Sequence, residues 1–91
     1  MELTIADWQP QDSGPLRATF AVVLQDSGLV LRGFAFFSGL EGRRWISPPR
    51  RRESGDISAK KINLVDFTNA VAKQTFEQNV LTAIHRHLQQ L

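Results

Sequence analysis

Ala72, Phe76, Val80, Ile84 and Leu88 recur at every fourth position, and this repeat constrains the fold more than any other feature of the chain. The spacing places all five along one stripe of an α-helix, and such a stripe must find an apolar surface to cover. Leu81 and Leu91 widen it, while Lys73, Gln74, Glu77, Gln78, Thr82, His85 and Arg86 lie mostly elsewhere around the helix. Thr68 or Asn69 can cap the start. The pattern therefore predicts a helix from there to about Gln90, roughly six turns long.

The residues before the helix offer a sheet to receive it. Over 16–24, Leu16, Ala18, Phe20, Val22 and Leu24 alternate with Arg17, Thr19, Ala21 and Val23, a period of two in β-favouring residues. Over 29–38, Val30, Arg32, Phe34 and Phe36 alternate with Leu31, Gly33, Ala35 and Phe37, so both faces are apolar and the strand is expected to be central. Residues 2–8 read as a first strand, 9–15 as a loop, 25–28 as a hairpin turn and 38–42 as a second turn. Residues 43–47 read as a short fourth strand ended by Pro48 and Pro49, 50–59 as a mobile loop, and 60–67 as a fifth strand. The fold class expected is α+β: an antiparallel β-meander of four to five strands followed by one long C-terminal helix packed on the sheet. At 91 residues, 1–91 is expected to be a single domain.

Composition narrows the functional classes. No apolar run approaches the roughly 20 residues of a membrane span, and Met1-Glu2-Leu3-Thr4 lacks the layout of a signal peptide. There is no cysteine, which excludes disulfides and thiolate metal sites, and a cytoplasmic location is the default expectation. The formal net charge is only +2, but its distribution is uneven. Residues 1–31 hold one base, Arg17, against four acids, whereas 32–61 hold eight bases against Glu41, Glu53 and Asp56. Local potential of this kind steers a polyanion better than net charge does.

The basic segment is Arg43-Arg44-Trp45-Ile46-Ser47-Pro48-Pro49-Arg50-Arg51-Arg52, with five of the chain's eleven lysines and arginines. Cations gathered this closely repel one another, and arginines interleaved with an aromatic suit a phosphate backbone with bases stacked beside it. The competing reading is a solvated loop whose charges serve solubility. For Trp45 the commoner role is a core or dimer contact, and a stacking platform is the alternative. Phe34 and Phe36 have the spacing with which a sheet stacks bases, but packing beneath the helix is the stronger reading.

Catalytic and metal constellations are missing from the sequence. It has no cysteine or tyrosine, no Gly-x-Ser-x-Gly elbow, no phosphate-binding glycine loop and no HExxH. His85 and His87 stand two positions apart, so on a helix they diverge by about 200° and cannot share a metal; as cations they complement the helix C-terminus. The expectation is a protein that is not an enzyme, with no metal, cofactor or small-molecule substrate.

Three stretches resemble the SpoVG family of small bacterial septation and sporulation regulators. Pro15-Leu16-Arg17-Ala18 with the strand that follows resembles that family's opening strand. Residues 29–37, a glycine-containing turn, and Trp45-Ile46-Ser47-Pro48-Pro49-Arg50-Arg51 resemble its strand, turn and strand ending in a proline-serine-basic motif. Residues 76–88 resemble its closing helix. The resemblance implies a homodimer built from a twisted antiparallel sheet and a helix, binding DNA and RNA, with contacts on Arg50, Arg51 and Arg52. The chain departs from that pattern in carrying Trp45 and the Arg43–Arg44 pair before the prolines, in Asn63 and Asp66, and in lacking a charged C-terminal tail. The functional expectation is a nucleic-acid-binding module, single strands slightly favoured, with Arg43, Arg44, Trp45, Arg50, Arg51 and Arg52 as the contact residues. The alternative is a protein-interaction module whose basic loop docks an acidic partner.

Overall fold

The computed structural model describes residues 2–52 and 61–90. Strands β1 (Leu3–Ser13), β2 (Leu16–Leu24), β3 (Leu29–Ser38) and β4 (Arg44–Ser47) form one antiparallel sheet in sequence order. A separate two-stranded ladder, β5 (Arg50–Arg52) with β6 (Lys61–Asn63), precedes helix α1 (Ala70–Gln89). The fold is α+β, a four-stranded meander followed by a helix packed on it, as the two periodicities predict.

Asn69 caps α1: its backbone is extended and its Oδ1 accepts the N–H of Ala72 at 2.8 Å. Arg86 and His87 occupy the last turn, where the helix dipole favours cations. The buried side of α1 is Phe76, Val80 and Ile84, packed on Phe20 and Val22 of β2, Phe34 and Phe36 of β3, and Ile46 of β4. Aromatic rings run through this core in series. Trp8 meets Phe20 at 5.9 Å, Phe20 meets Phe34 at 5.7 Å, Phe34 meets Phe76 at 5.9 Å, and Phe76 meets Phe67 at 5.3 Å. Among the described residues no polar or charged side chain is buried, so apolar burial alone holds the layers together. Among them, too, no helix is long and apolar enough to cross a membrane.

The structure departs from strict alternation at four places, each an inserted residue. In β1 the register slips between Ala6 and Gln9, with Asp7 at φ 52°, and in β3 it slips opposite the Phe20–Val22 step, with Gly33 at φ 87°. Strict alternation grouped Val30 with Phe34 and Phe36. The extra residue reverses the phase, so Leu31 packs against the core while Val30 stands opposite Val23 and is exposed. The two slips flank β2, and the Asp7 carboxylate accepts from the Arg32 guanidinium across it. A third slip lies between Leu16 and Ala18 of β2, where Arg17 is the extra residue, and a fourth between Pro10 and Ser13 of β1.

Turn signals also misplaced two boundaries. Residues 9–13, expected in a loop, continue β1, with Pro10 opposite Ala18 and Ser13 opposite Leu16. β1 is an edge strand of the sheet, the place in a ladder where a proline is tolerated. Arg50 to Arg52, expected in a mobile loop, pair with Asn63, Ile62 and Lys61 respectively. The rest of that expected loop, 53–59, lies outside the described residues, as does Leu91. Of the expected fifth strand, 60–67, Lys60 lies outside the described residues and 64–67 are not strand; Lys61–Asn63 is a strand that does not join the sheet. Beyond it, Leu64 N–H donates to Pro49 O at 2.8 Å, and Val65 and Phe67 turn to pack against the core.

Candidate nucleic-acid interface

The basic segment begins at a tight turn, Leu40–Gly42, where Glu41 and Gly42 have φ of 60° and 73°. Gly39 N–H donates to Arg43 O at 2.8 Å, and Arg43 N–H donates to Leu40 O at 3.2 Å. This closure starts β4 with Arg44 opposite Ser38, Trp45 opposite Phe37 and Ile46 opposite Phe36. Ile46 and Phe36 are core residues beneath α1, so Trp45 and Phe37 share the other face of the sheet.

There the Trp45 and Phe37 rings stack with centroids 5.4 Å apart and planes 5° from parallel. Gly39 makes room for the indole: a β-carbon on it would stand 3.1 Å from Trp45 Cζ3. The Arg43 guanidinium carbon lies 5.6 Å from the Trp45 ring centroid, within cation–π range. Trp45 remains 37% exposed, so it is neither a core residue nor a free side chain.

Arg50 is exposed and lines, with Trp45 and Phe37, a cleft of about 290 Å³ along the outer edge of β4, which among the described residues no further strand joins. Lys73 of α1 reaches the same cleft, but so do Asp66 and Glu77. Two carboxylates thus offset two cations, and the Asp66 carboxylate also accepts the N–H of Phe67 at 2.9 Å. Arg51 and Arg52 take their places in β5 opposite Ile62 and Lys61; their side chains lie outside the described residues.

Arg44 is not part of this group. It is exposed and lines a second cleft, on the α1 side, with Trp8, Phe36 and Leu88. Arg17 lines that cleft as well. Alternation placed Arg17 on the opposite face with Thr19 and Ala21; the inserted residue in β2 accounts for its position. The structure therefore brings Arg43, Trp45 and Arg50 together at the β4 edge and sends Arg44 to the other face.

Sequence reasoning missed Arg17 because a bulge leaves no signature in alternation, and missed Lys73 because it stands on the polar face of a distant helix. Phe34 and Phe36 are 0% and 4% exposed, which removes them as stacking platforms. His87 packs on Trp8 at 5.1 Å, whereas His85 Nε2 lies 3.1 Å from Gln89 Nε2. Among the described residues no group of three His, Cys, Asp or Glu side chains is placed to hold a metal ion.

The class of protein reached from fold and site is a small α+β chain with an aromatic and arginine-bearing sheet edge. No family model matches the chain, and neither a curated protein nor a solved structure matches it.

Proposed function

We propose that this chain is a non-catalytic nucleic-acid-binding module of the SpoVG type, a small cytoplasmic regulator or accessory protein that takes DNA or RNA and favours single strands. It works without cofactor or metal. The observation that carries this reading is the half-exposed Trp45 stacked on Phe37, with Arg43 over its ring and Arg50 in the adjoining cleft. An indole fixed in this way gives a base a flat, preordered surface, and the arginines meet the phosphates on either side. Stacking is sequence-tolerant, so selectivity among bases is weak.

Anisotropy of a labelled single-stranded oligonucleotide across a salt series, with duplex DNA and RNA as competitors, tests the reading. Three to five arginine–phosphate contacts give a slope of log K on log salt of about −2 to −4 on single strands. Absence of binding at low salt would sink the proposal. The homodimer belongs to the same reading. It is supported by the sheet face away from α1, where among the described residues no helix lies over Val23, Val30, Phe37 and Trp45 and Val30 is 44% exposed. A monomer in sedimentation at high micromolar concentration removes that part.

A protein-interaction module is the second reading, and the mixed charge of the edge cleft favours it. Arg50 and Lys73 beside Asp66 and Glu77 suit a polar protein surface, with Trp45 as the anchor. Trp45 fluorescence separates the two. Quenching by oligonucleotide supports stacking, and indifference together with a dependence on protein concentration supports the interface.

A further inference from the structure

The cleft on the α1 side differs in chemistry from the one at the β4 edge. It has a volume of about 350 Å³, within the roughly 300–1,000 Å³ of ordinary ligand sites. Its apolar side is Trp8, Phe36 and Leu88, of which Leu88 is 39% exposed. Arg17 and Arg44, both exposed, come to it from β2 and β4, on the strands flanking Ser38 of β3. Among the described residues no carboxylate lines this cleft, and neither arginine is in an ion pair. Guanidinium groups beside the Trp8 ring match a ligand with a flat apolar body and a phosphate.

Position adds a second constraint. Arg44 and Trp45 are consecutive residues of an edge strand, so their side chains leave opposite faces of the sheet. A duplex, stiff over about 50 nm, cannot follow both faces around one strand, whereas a single strand can.

We infer that the α1-side cleft is a second nucleotide subsite, in which Arg17 and Arg44 hold a phosphate and the base lies against Trp8, with a single strand reaching it from Trp45 around the outer edge of β4. This rests on the nucleic-acid reading above and adds Arg17 and Trp8 to its contacts.

The chain has two tryptophans, so Trp45→Phe leaves Trp8 as the sole indole while keeping an aromatic ring on Phe37. That variant is titrated with a fluorescein-labelled 15-nucleotide oligothymidine, reading anisotropy and Trp8 emission together, and the titration is repeated with Arg17→Ala added. The expected result is Trp8 quenching that saturates with the anisotropy. Adding Arg17→Ala removes most of the quenching, weakens binding about tenfold and makes the salt slope shallower by about 0.7. Binding with unchanged Trp8 emission, and unchanged affinity in Arg17→Ala, overturns the second subsite and leaves the Trp45 interface standing. No binding of the parent protein at low salt overturns both. A hexaglutamate peptide that quenches Trp8 and displaces the oligonucleotide would assign the cleft to a protein partner and overturn the inference.

Discussion

Gly33 and Pro49 meet so closely that a β-carbon on Gly33 would stand 3.1 Å from the β-carbon of Pro49. Gly33 is the positive-φ residue of the β3 slip, and Pro49 is the last residue before Arg50. The bulge that rephases the core strand thus also receives the proline from which the arginine ladder departs. Pro49 O then accepts from Leu64 N–H, tying the far side of that ladder to the same point.

Gly33→Ala should therefore cost more than its backbone conformation alone. A left-handed residue with a side chain costs about 1–2 kcal/mol, and here Pro49 must also move. Gly28→Ala is the control, since its φ is 73° and nothing lies within 4 Å of its would-be β-carbon. In urea unfolding both midpoints should fall with m unchanged, and Gly33→Ala should fall further. Equal losses would show that the Pro49 contact places no constraint on this site.

Phe34→Ala should remove a large part of the total stability. Phe34 is 0% exposed and touches rings from two elements, Phe20 of β2 and Phe76 of α1. Truncating such a residue costs about 3–5 kcal/mol, against the roughly 0.05–0.15 kcal/mol per residue that holds a domain folded. Chemical denaturation measures it, and a loss below about 1 kcal/mol would mean that the helix–sheet core is not packed as described.

The layer structure was legible because its two signals are long. Phe76, Val80 and Ile84 repeat over several helical turns, and Ala18, Phe20 and Val22 alternate without interruption. What failed was phase and extent. Asp7, Arg17 and Gly33 each sit at a point where register slips, and one inserted residue moves every later side chain to the other face. Gly33 hints at a bulge in the sequence, but Arg17 and Asp7 carry no such mark. Arg50 to Arg52 were read as a loop for lack of apolar residues; their pairing with β6 uses backbone groups, which the side-chain pattern does not report. The composition of the site was readable, whereas its division between two faces depended on the strand assignment of Arg44 and Trp45.

Asn69→Ala tests the start of the helix. The only side-chain cap seen at this end is Asn69 Oδ1 on Ala72 N–H, and no acidic residue lies in the first turn to supply another. Loss of such a cap costs about 1 kcal/mol, which lowers Tm by about 4–8 °C in a domain of this size. Asn69→Asp should retain the cap and keep Tm near the parent value. A similar loss in both variants by thermal circular dichroism would place the effect elsewhere.

Trp45→Ala separates the interface from the fold. Trp45 lies on the sheet face away from α1 and keeps 37% of its surface exposed, so its truncation leaves the core rings in place. If bases stack on it, affinity for a single strand should fall by about 1–3 kcal/mol, roughly five- to 150-fold. The salt slope should stay the same, because an indole displaces no counterion. Replacing Arg50, Arg51 and Arg52 together by alanine should do the reverse, making the slope shallower by about 2. Oligonucleotide anisotropy at several salt concentrations reads both quantities in one experiment. A Trp45→Ala variant that binds as the parent does, with slope and affinity intact, would remove the indole from the interface and leave the arginines to act as charges alone.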